Sequence, residues 1–224
     1  MTDLATDVPS LGLRERKKQQ TRQLIAETAR RLFAERSFEA VTVAEIARAA
    51  EVSEQTVFNY FPTKEDLVYW QLGAFEEELL STIRQRPTGE SALAAFRRFL
   101  LRQRGLLGRV DEAARRQLGA ITRVIAESPA LRAREHQILD GYTASLAQLL
   151  AAETGAPADD MEAAVAATAM MGVHRSLIEF ARERVMSGER HTRLAPEIRT
   201  RVDRGCGLLE RGLGGYAVKP DYRD

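Results

Sequence analysis

Thr42 to Val68 read TVAEIARAAEVSEQTVFNYFPTKEDLV, and almost every position in that stretch has a local structural meaning. Thr42 with Glu45 three residues on is a capping box, in which each side chain satisfies a free backbone N–H at a helix start. Behind it Val43, Ile46, Ala47 and Ala50 recur at helical spacing, which predicts a short helix with one apolar face. Ser53 caps a second short helix running to about Tyr60, with Val57 and Phe61 directed inward. Pro62-Thr63 then breaks the chain. Thr63 with Asp66 opens a much longer helix carrying Leu67, Trp70, Phe75, Leu79 and Ile83.

Working outward, the same punctuation divides the rest. Residues 1–13 read as a disordered leader without the charged start and apolar run of a secretory signal. A first helix from Glu15 to about Arg36 places Ile25, Ala29, Leu32 and Phe33 on one face. Beyond the long helix, breaks at Pro87-Thr88-Gly89, Gly105/Gly108, Ser128-Pro129, Gly155-Ala156-Pro157 and Gly188 separate helices over about 90–104, 110–127, 130–153, 159–187 and 196–213. The total is nine helices, three short and six mostly long, and no convincing strand. The chain is therefore expected to be all-α: a three-helix domain over 14–62, a six-helix domain over 63–214, and a tail over 215–224.

Composition agrees. Ala, Leu, Glu and Arg make up 109 of 224 residues, and all four favour helices. Aromatic residues are 6%, which argues against a β-sandwich or barrel. A net charge of +1 excludes any argument from overall basicity. One cysteine, Cys206, excludes an internal disulfide framework and a cysteine-based metal site. No run of 18 apolar residues exists, so no membrane span is expected, and the chain reads as soluble and cytoplasmic. The histidines, His136, His174 and His191, are scattered over the chain. With no nucleophile elbow, zinc-binding or phosphate-loop motif beside them, they suggest no enzyme, metal or cofactor.

The two short helices have the dimensions of a helix-turn-helix, whose second helix enters the major groove of DNA. With Val57 and Phe61 inward, Gln55, Thr56 and Asn59 are left outward. Gln55 and Asn59 can pair with adenine N6 and N7, and Thr56 with a phosphate or a thymine methyl. Ser53 starts a helix whose free N–H groups suit a phosphate. Arg14, Arg16, Lys17, Lys18 and Arg22 form a basic arm ahead of these helices. From Arg14 to Lys64 the charge is +3. The same features also fit an ordinary helical hairpin with a solvated basic start, and caps need no ligand.

The run from Thr42 to Val68 strongly resembles the DNA-binding signature of TetR-family transcriptional regulators, present without a gap as T-x-x-x-I-A-x-x-A-x-V-S-x-x-T-x-x-x-Y-F-x-x-K-E-x-L. It covers about the first quarter of the chain; the remainder matches in length and helix layout. The resemblance implies that Thr42, Thr56, Tyr60 and Lys64 hold phosphates and that Gln55, Phe58 and Asn59 face bases. Two residues depart from the family pattern. Glu51 stands where glycine is frequent in the turn. Glu54 replaces a common Lys or Arg, so it either repels phosphate or accepts from a cytosine amino group.

The resemblance further implies a homodimeric repressor, paired through its last two helices on a palindromic double-stranded operator and released by a small-molecule inducer. The small residues of Ala163 to Gly172 fit either such an interface or packing within one subunit. An inducer pocket among the middle helices gives Phe96, Phe99, Arg123, Tyr142, Met170, Met171 and His174 as candidates, although most also read as ordinary core and Arg123 can pair with Glu127. Release is expected to act through a tilt of the long helix starting at Lys64. The competing readings are a regulator or activator of the same fold without a ligand, and a helical protein-interaction adaptor.

Overall fold

The computed structural model describes residues 12–70, 73–102, 112–187, 194–213, 215 and 218–219. The leader over 1–11, the expected break at Gly105/Gly108, the side chain of Leu118, Gly188, His191 and most of 215–224 lie outside them. The chain separates into two compact units, Met1–Trp70 and Gln71–Asp224. Among the described residues there are ten helices and no strand, with one isolated bridge between Ser91 and Val218.

The first unit contains α1 (Leu13–Arg36), α2 (Val43–Ala49), α3 (Glu54–Tyr60) and α4 (Asp66–Tyr69). Its core is Ile25, Ala29, Phe33, Ile46, Val57, Phe61 and Leu67, all essentially inaccessible. The expected capping box is formed: the Thr42 hydroxyl accepts from the Glu45 N–H at 3.2 Å, and the Glu45 carboxylate accepts from the Thr42 N–H at 2.8 Å. Ser53 accepts from the Thr56 N–H at 3.0 Å. Such caps are each worth about 0.5–2 kcal/mol, a large fraction of what holds a seven-residue helix in place.

The long helix expected from Thr63 is instead two assigned helices, α4 and α5 (Gly73–Arg84). Thr63 and Asp66 do bond reciprocally, at 3.1 and 3.3 Å. That exchange closes the turn ahead of α4, whose N-cap Glu65 makes no side-chain cap bond, and only one helical turn follows. Because α4 packs on α1, with Leu67, Val68 and Tyr69 buried, the first unit runs past the boundary expected after residue 62.

The second unit comprises α5, α6 (Ala92–Arg102), α7 (Glu112–Glu127), α8 (Pro129–Thr154), α9 (Met161–Met186) and α10 (Leu194–Leu213). α9 packs against both α8 and α10, and α10 packs on α6. Ser128 caps α8 with Pro129 at its first position, and Asp160 caps α9 by accepting from the Ala163 N–H at 2.8 Å. Gly155 ends α8 at φ 70°, a left-handed conformation that glycine adopts without penalty. Where α9 meets α10, a Cβ on Gly205 would lie 2.9 Å from a Val173 methyl, so that position keeps the two helices close. Two ion pairs are drawn into this core. Arg86, 1% exposed, meets Glu153 at 2.6 Å, and Arg182 meets both oxygens of Glu135 at 2.9 and 2.7 Å.

Candidate nucleic-acid interface

The turn between α2 and α3 closes in a defined way. The Val52 N–H donates to the Ala47 carbonyl at 2.9 Å and the Glu51 N–H to the Arg48 carbonyl at 3.2 Å. This is a Schellman closure, whose left-handed residue is usually glycine. Here Glu51 occupies it at φ 55°. A second left-handed residue, Ser37 at φ 78° and ψ 161°, follows α1. Helix α2 is therefore flanked by two non-glycine residues in conformations that disfavour a Cβ.

On α3, Val57 is buried and Thr56 and Tyr60 are half-buried, while Glu54, Gln55, Phe58 and Asn59 are exposed. At 100° per residue those four span an arc of about 140°, one continuous outward face. Gln55 Nε2 donates to Asn59 Oδ1 at 3.1 Å, which ties the two exposed amides to one another. Thr56, expected outward, sits instead at the edge of this face with its hydroxyl 2.8 Å from that of Ser53. Ser53 and Thr42 are exposed at the starts of α3 and α2.

Lys64, which the resemblance implies holds a phosphate, is half-buried. Its ammonium donates to the Phe38 carbonyl and lies 4.2 Å from the Phe38 ring centre and 5.7 Å from that of Phe33. Partial burial lowers its pKa, against the opposing pull of Glu39, Glu65 and Glu45. The carboxyl of Glu45 is held down to about 2, first by the Thr42 N–H and then by Arg36, 2.7 Å away, and the Thr42 hydroxyl.

The basic residues ahead of α2 lie on α1, which starts at Leu13, and Arg14, Arg16, Lys17, Lys18 and Arg22 are exposed on it. Arg22 stands 5.5 Å over the Phe61 ring and 6.0 Å over Trp70, and Arg30 stands 5.7 Å over Trp70. Burial lowers the pKa of Arg30, with Glu27 opposing. The residue types announced a charged helix; the stacking on Trp70 had no sequence signal, because it joins positions 40 and 48 residues apart.

The candidate ligand residues all fall in the second unit. Phe96, Phe99, Tyr142, Met170 and Met171 belong to one buried cluster. Phe75, which spacing marked only as core, joins several of the candidates: its ring centre is 4.5 Å from His174, 5.1 Å from Phe99 and 5.6 Å from Tyr142. Burial, and then Arg175, push the His174 imidazole down to about 4, so it is neutral at pH 7. Burial, reinforced by Glu76, pushes the Tyr142 phenol up to about 12. Arg123 is exposed on α7. Among the described residues no three His, Cys, Asp or Glu side chains gather as a metal site.

A groove of about 880 Å³ runs between α9 and α10, floored by Gly172, Val173, Leu177 and Gly205 and bordered by Arg201, Arg204 and Leu208. Met161, Val165 and Leu208 are exposed on these same two helices, at 77%, 58% and 67%.

Comparison with known proteins gives consistent matches. The family described as "Bacterial regulatory proteins, tetR family" matches residues 25–69, and the MftR C-terminal domain matches 91–204. The HTH-type transcriptional regulator TcmR of Streptomyces glaucescens is 34% identical over 172 residues, 71% of this chain and 75% of that one. Among solved structures, NalD, the secondary repressor of the MexAB-OprM multidrug efflux pump in Pseudomonas aeruginosa, superposes with a TM-score of 0.50 at 21% identity. That match covers 88% of this chain and 97% of NalD.

Proposed function

The chain belongs to the TetR family of bacterial transcriptional regulators and is a DNA-binding protein, not an enzyme, and from that premise we propose that it is a homodimeric repressor released from a palindromic operator by a small molecule. The observation that carries the DNA-binding half is the outward face of α3, where a hydrogen-bonded Gln55–Asn59 amide pair stands exposed on a capped helix. Ser53 and Thr42 at the helix starts, with Thr56 and Tyr60 beside that face, are the phosphate-holding groups. Lys64 joins them once a phosphate draws its ammonium from the Phe38 carbonyl. As a DNA-binding regulator it acts in the cytoplasm, and among the described residues no helix is long and apolar enough to cross a membrane.

Pairing through α9 and α10 is supported by the apolar side chains they leave exposed, Met161, Val165 and Leu208. A two-fold dimer sets its recognition helices one DNA turn apart, roughly 34–36 Å, which is what makes the operator palindromic. Response to a ligand is supported by the ring cluster of Phe75, Phe99, Tyr142 and His174, an apolar setting with two polar anchors. Ligand and operator then oppose one another through a coupling of about 1–3 kcal/mol.

The test is selection of genomic fragments on the purified protein, followed by titration at several salt concentrations. One palindromic site, lost on Gln55→Ala with Asn59→Ala, is expected; recovery of nothing above bulk DNA overturns the reading. Val165→Glu with Leu208→Glu is expected to give a monomer in sedimentation. Screening small molecules for operator release then separates a ligand-responsive repressor from a regulator of the same fold without a ligand.

A further inference from the structure

The outward face of α3 consists of two parallel stripes. Gln55 and Asn59 form one, tied together by their hydrogen bond. Glu54 and Phe58, also four residues apart, form the other, and both are exposed. Phe58 is the one exposed phenylalanine among the described residues, 45% accessible. The Glu54 carboxylate has neither an ion pair nor a hydrogen bond to another described residue.

Each member of the second stripe is costly to bring against DNA without a matching group. A carboxylate accepts hydrogen bonds and donates none, and it is repelled by phosphates. The donors in the major groove are the amino groups of cytosine and adenine. Adenine N6 lies between two acceptors, its own N7 and the O4 of its thymine partner. Cytosine N4 has an acceptor, the guanine O6, on one side only and a C–H on the other. A carboxylate therefore gains most against cytosine. An exposed phenyl ring gains by losing water against an apolar group, and the thymine methyl is the apolar group that the major groove presents.

We propose that Glu54 and Phe58 are a second base-discriminating pair on α3, with Glu54 accepting from a cytosine amino group and Phe58 covering a thymine methyl. Side chains four apart on a helix stand roughly 5–6 Å from one another, while bases step by about 3.4 Å. The two bases are thus one to two steps apart within each half-site. The Gln55–Asn59 stripe reads the neighbouring bases. This assignment rests on the operator-binding reading of α3 and goes beyond it by naming the bases.

The experiment uses the full-length protein and the operator recovered by selection. Each thymine in one half-site is replaced in turn by deoxyuridine, which deletes only the methyl, and binding is followed by fluorescence anisotropy for wild type, Phe58→Ala and Glu54→Gln. Wild type is expected to lose about three- to fivefold at one thymine, the scale of one buried methyl group, and Phe58→Ala to be indifferent to that change. Glu54→Gln is expected to shift the preferred base one or two steps away from cytosine toward adenine, which an amide can pair bidentately, by about tenfold. Equal methyl effects in wild type and Phe58→Ala overturn the Phe58 assignment. Uniformly tighter binding by Glu54→Gln, with unchanged base preference, overturns the Glu54 assignment and leaves that residue a phosphate repeller. Failure to select any operator overturns the DNA-binding reading itself, a result distinct from either. Both side chains are exposed, and unchanged circular dichroism confirms that the variants fold.

Discussion

The two units of this chain are held by different means. In Met1–Trp70 the two seven-residue helices α2 and α3 have their starts specified within three residues, by Thr42 with Glu45 and by Ser53 with Thr56. In Gln71–Asp224 the contacts that hold the helices together join residues far apart in sequence: Arg86 with Glu153, Glu135 with Arg182, Gly205 against Val173. Local encoding suits a part whose task is to present a fixed face of α3. Long-range packing creates an interior, and interiors are where a small molecule can be held. A substitution in the second unit should therefore cost more than one of comparable chemistry in the first.

The largest effect is expected at Arg86. Its guanidinium donates to the carbonyls of Ile83 and Glu90 as well as meeting Glu153. Arg86→Ala removes all three and empties a packed position, costing about 3–5 kcal/mol. Trp70 is the single tryptophan and belongs to the first unit, whose unfolding its fluorescence follows. Denaturation should show the main loss by circular dichroism, with the tryptophan transition little moved. A tryptophan transition that shifts equally would break the contrast between the units.

Next comes a pH effect confined to the second unit. The His174 imidazole is pushed down to about 4 from an ordinary value of 6.5, so the unfolded chain binds a proton that the folded chain refuses. Its contribution is complete above about pH 6.5 and is lost as pH falls toward 4, about 1–3 kcal/mol in all. His174→Phe, which keeps a ring against Phe75, should flatten this slope in urea titrations between about pH 7 and pH 4.5. If variant and wild type lose stability in parallel, another group titrates.

What the sequence discloses divides by the reach of each contact. Thr42, Glu45 and Ser53 are legible because a cap is a contact between near neighbours. The exposed positions of Gln55 and Asn59 follow from helical period alone. Thr63 and Asp66 are as legible and their exchange forms, yet it closes a turn ahead of a four-residue helix and does not open a long one. Lys64 on the Phe38 carbonyl, Phe75 beside His174, and Arg22 and Arg30 over Trp70 each join distant positions. No spacing rule announces such contacts. In the second unit, periodicity found the helices and could not tell a pocket wall from a core.

A smaller loss is expected at the cap of α2. Thr42→Ala removes the hydroxyl that accepts from the Glu45 N–H, for about 1 kcal/mol, seen in the tryptophan transition. Thr42→Ser keeps the oxygen and should restore most of it. If alanine is as stable as serine, local capping is not what holds this unit.

The smallest effects have the opposite sign and return to the turns on either side of α2. Ser37 and Glu51 hold φ values of 78° and 55°, where a Cβ is crowded and glycine is not. Ser37→Gly and Glu51→Gly each relieve that crowding but add freedom to the unfolded chain, leaving a net gain of roughly 0.5–1 kcal/mol apiece. The two substitutions differ in what else they change. Ser37 is neutral, so its replacement should raise stability and leave operator affinity and its salt dependence alone. Glu51 adds a negative charge to the turn that leads into α3, so its replacement should also tighten binding to any DNA, specific or bulk, most at low salt. Glu51→Gln separates the two contributions, since it removes the charge and keeps the strained Cβ. If Gln alone reproduces the affinity gain and glycine alone the stability gain, backbone and electrostatic roles at this turn are independent. If glycine destabilises instead, the left-handed turn is held by contacts of the glutamate side chain, and the unit is less locally encoded than its caps suggest.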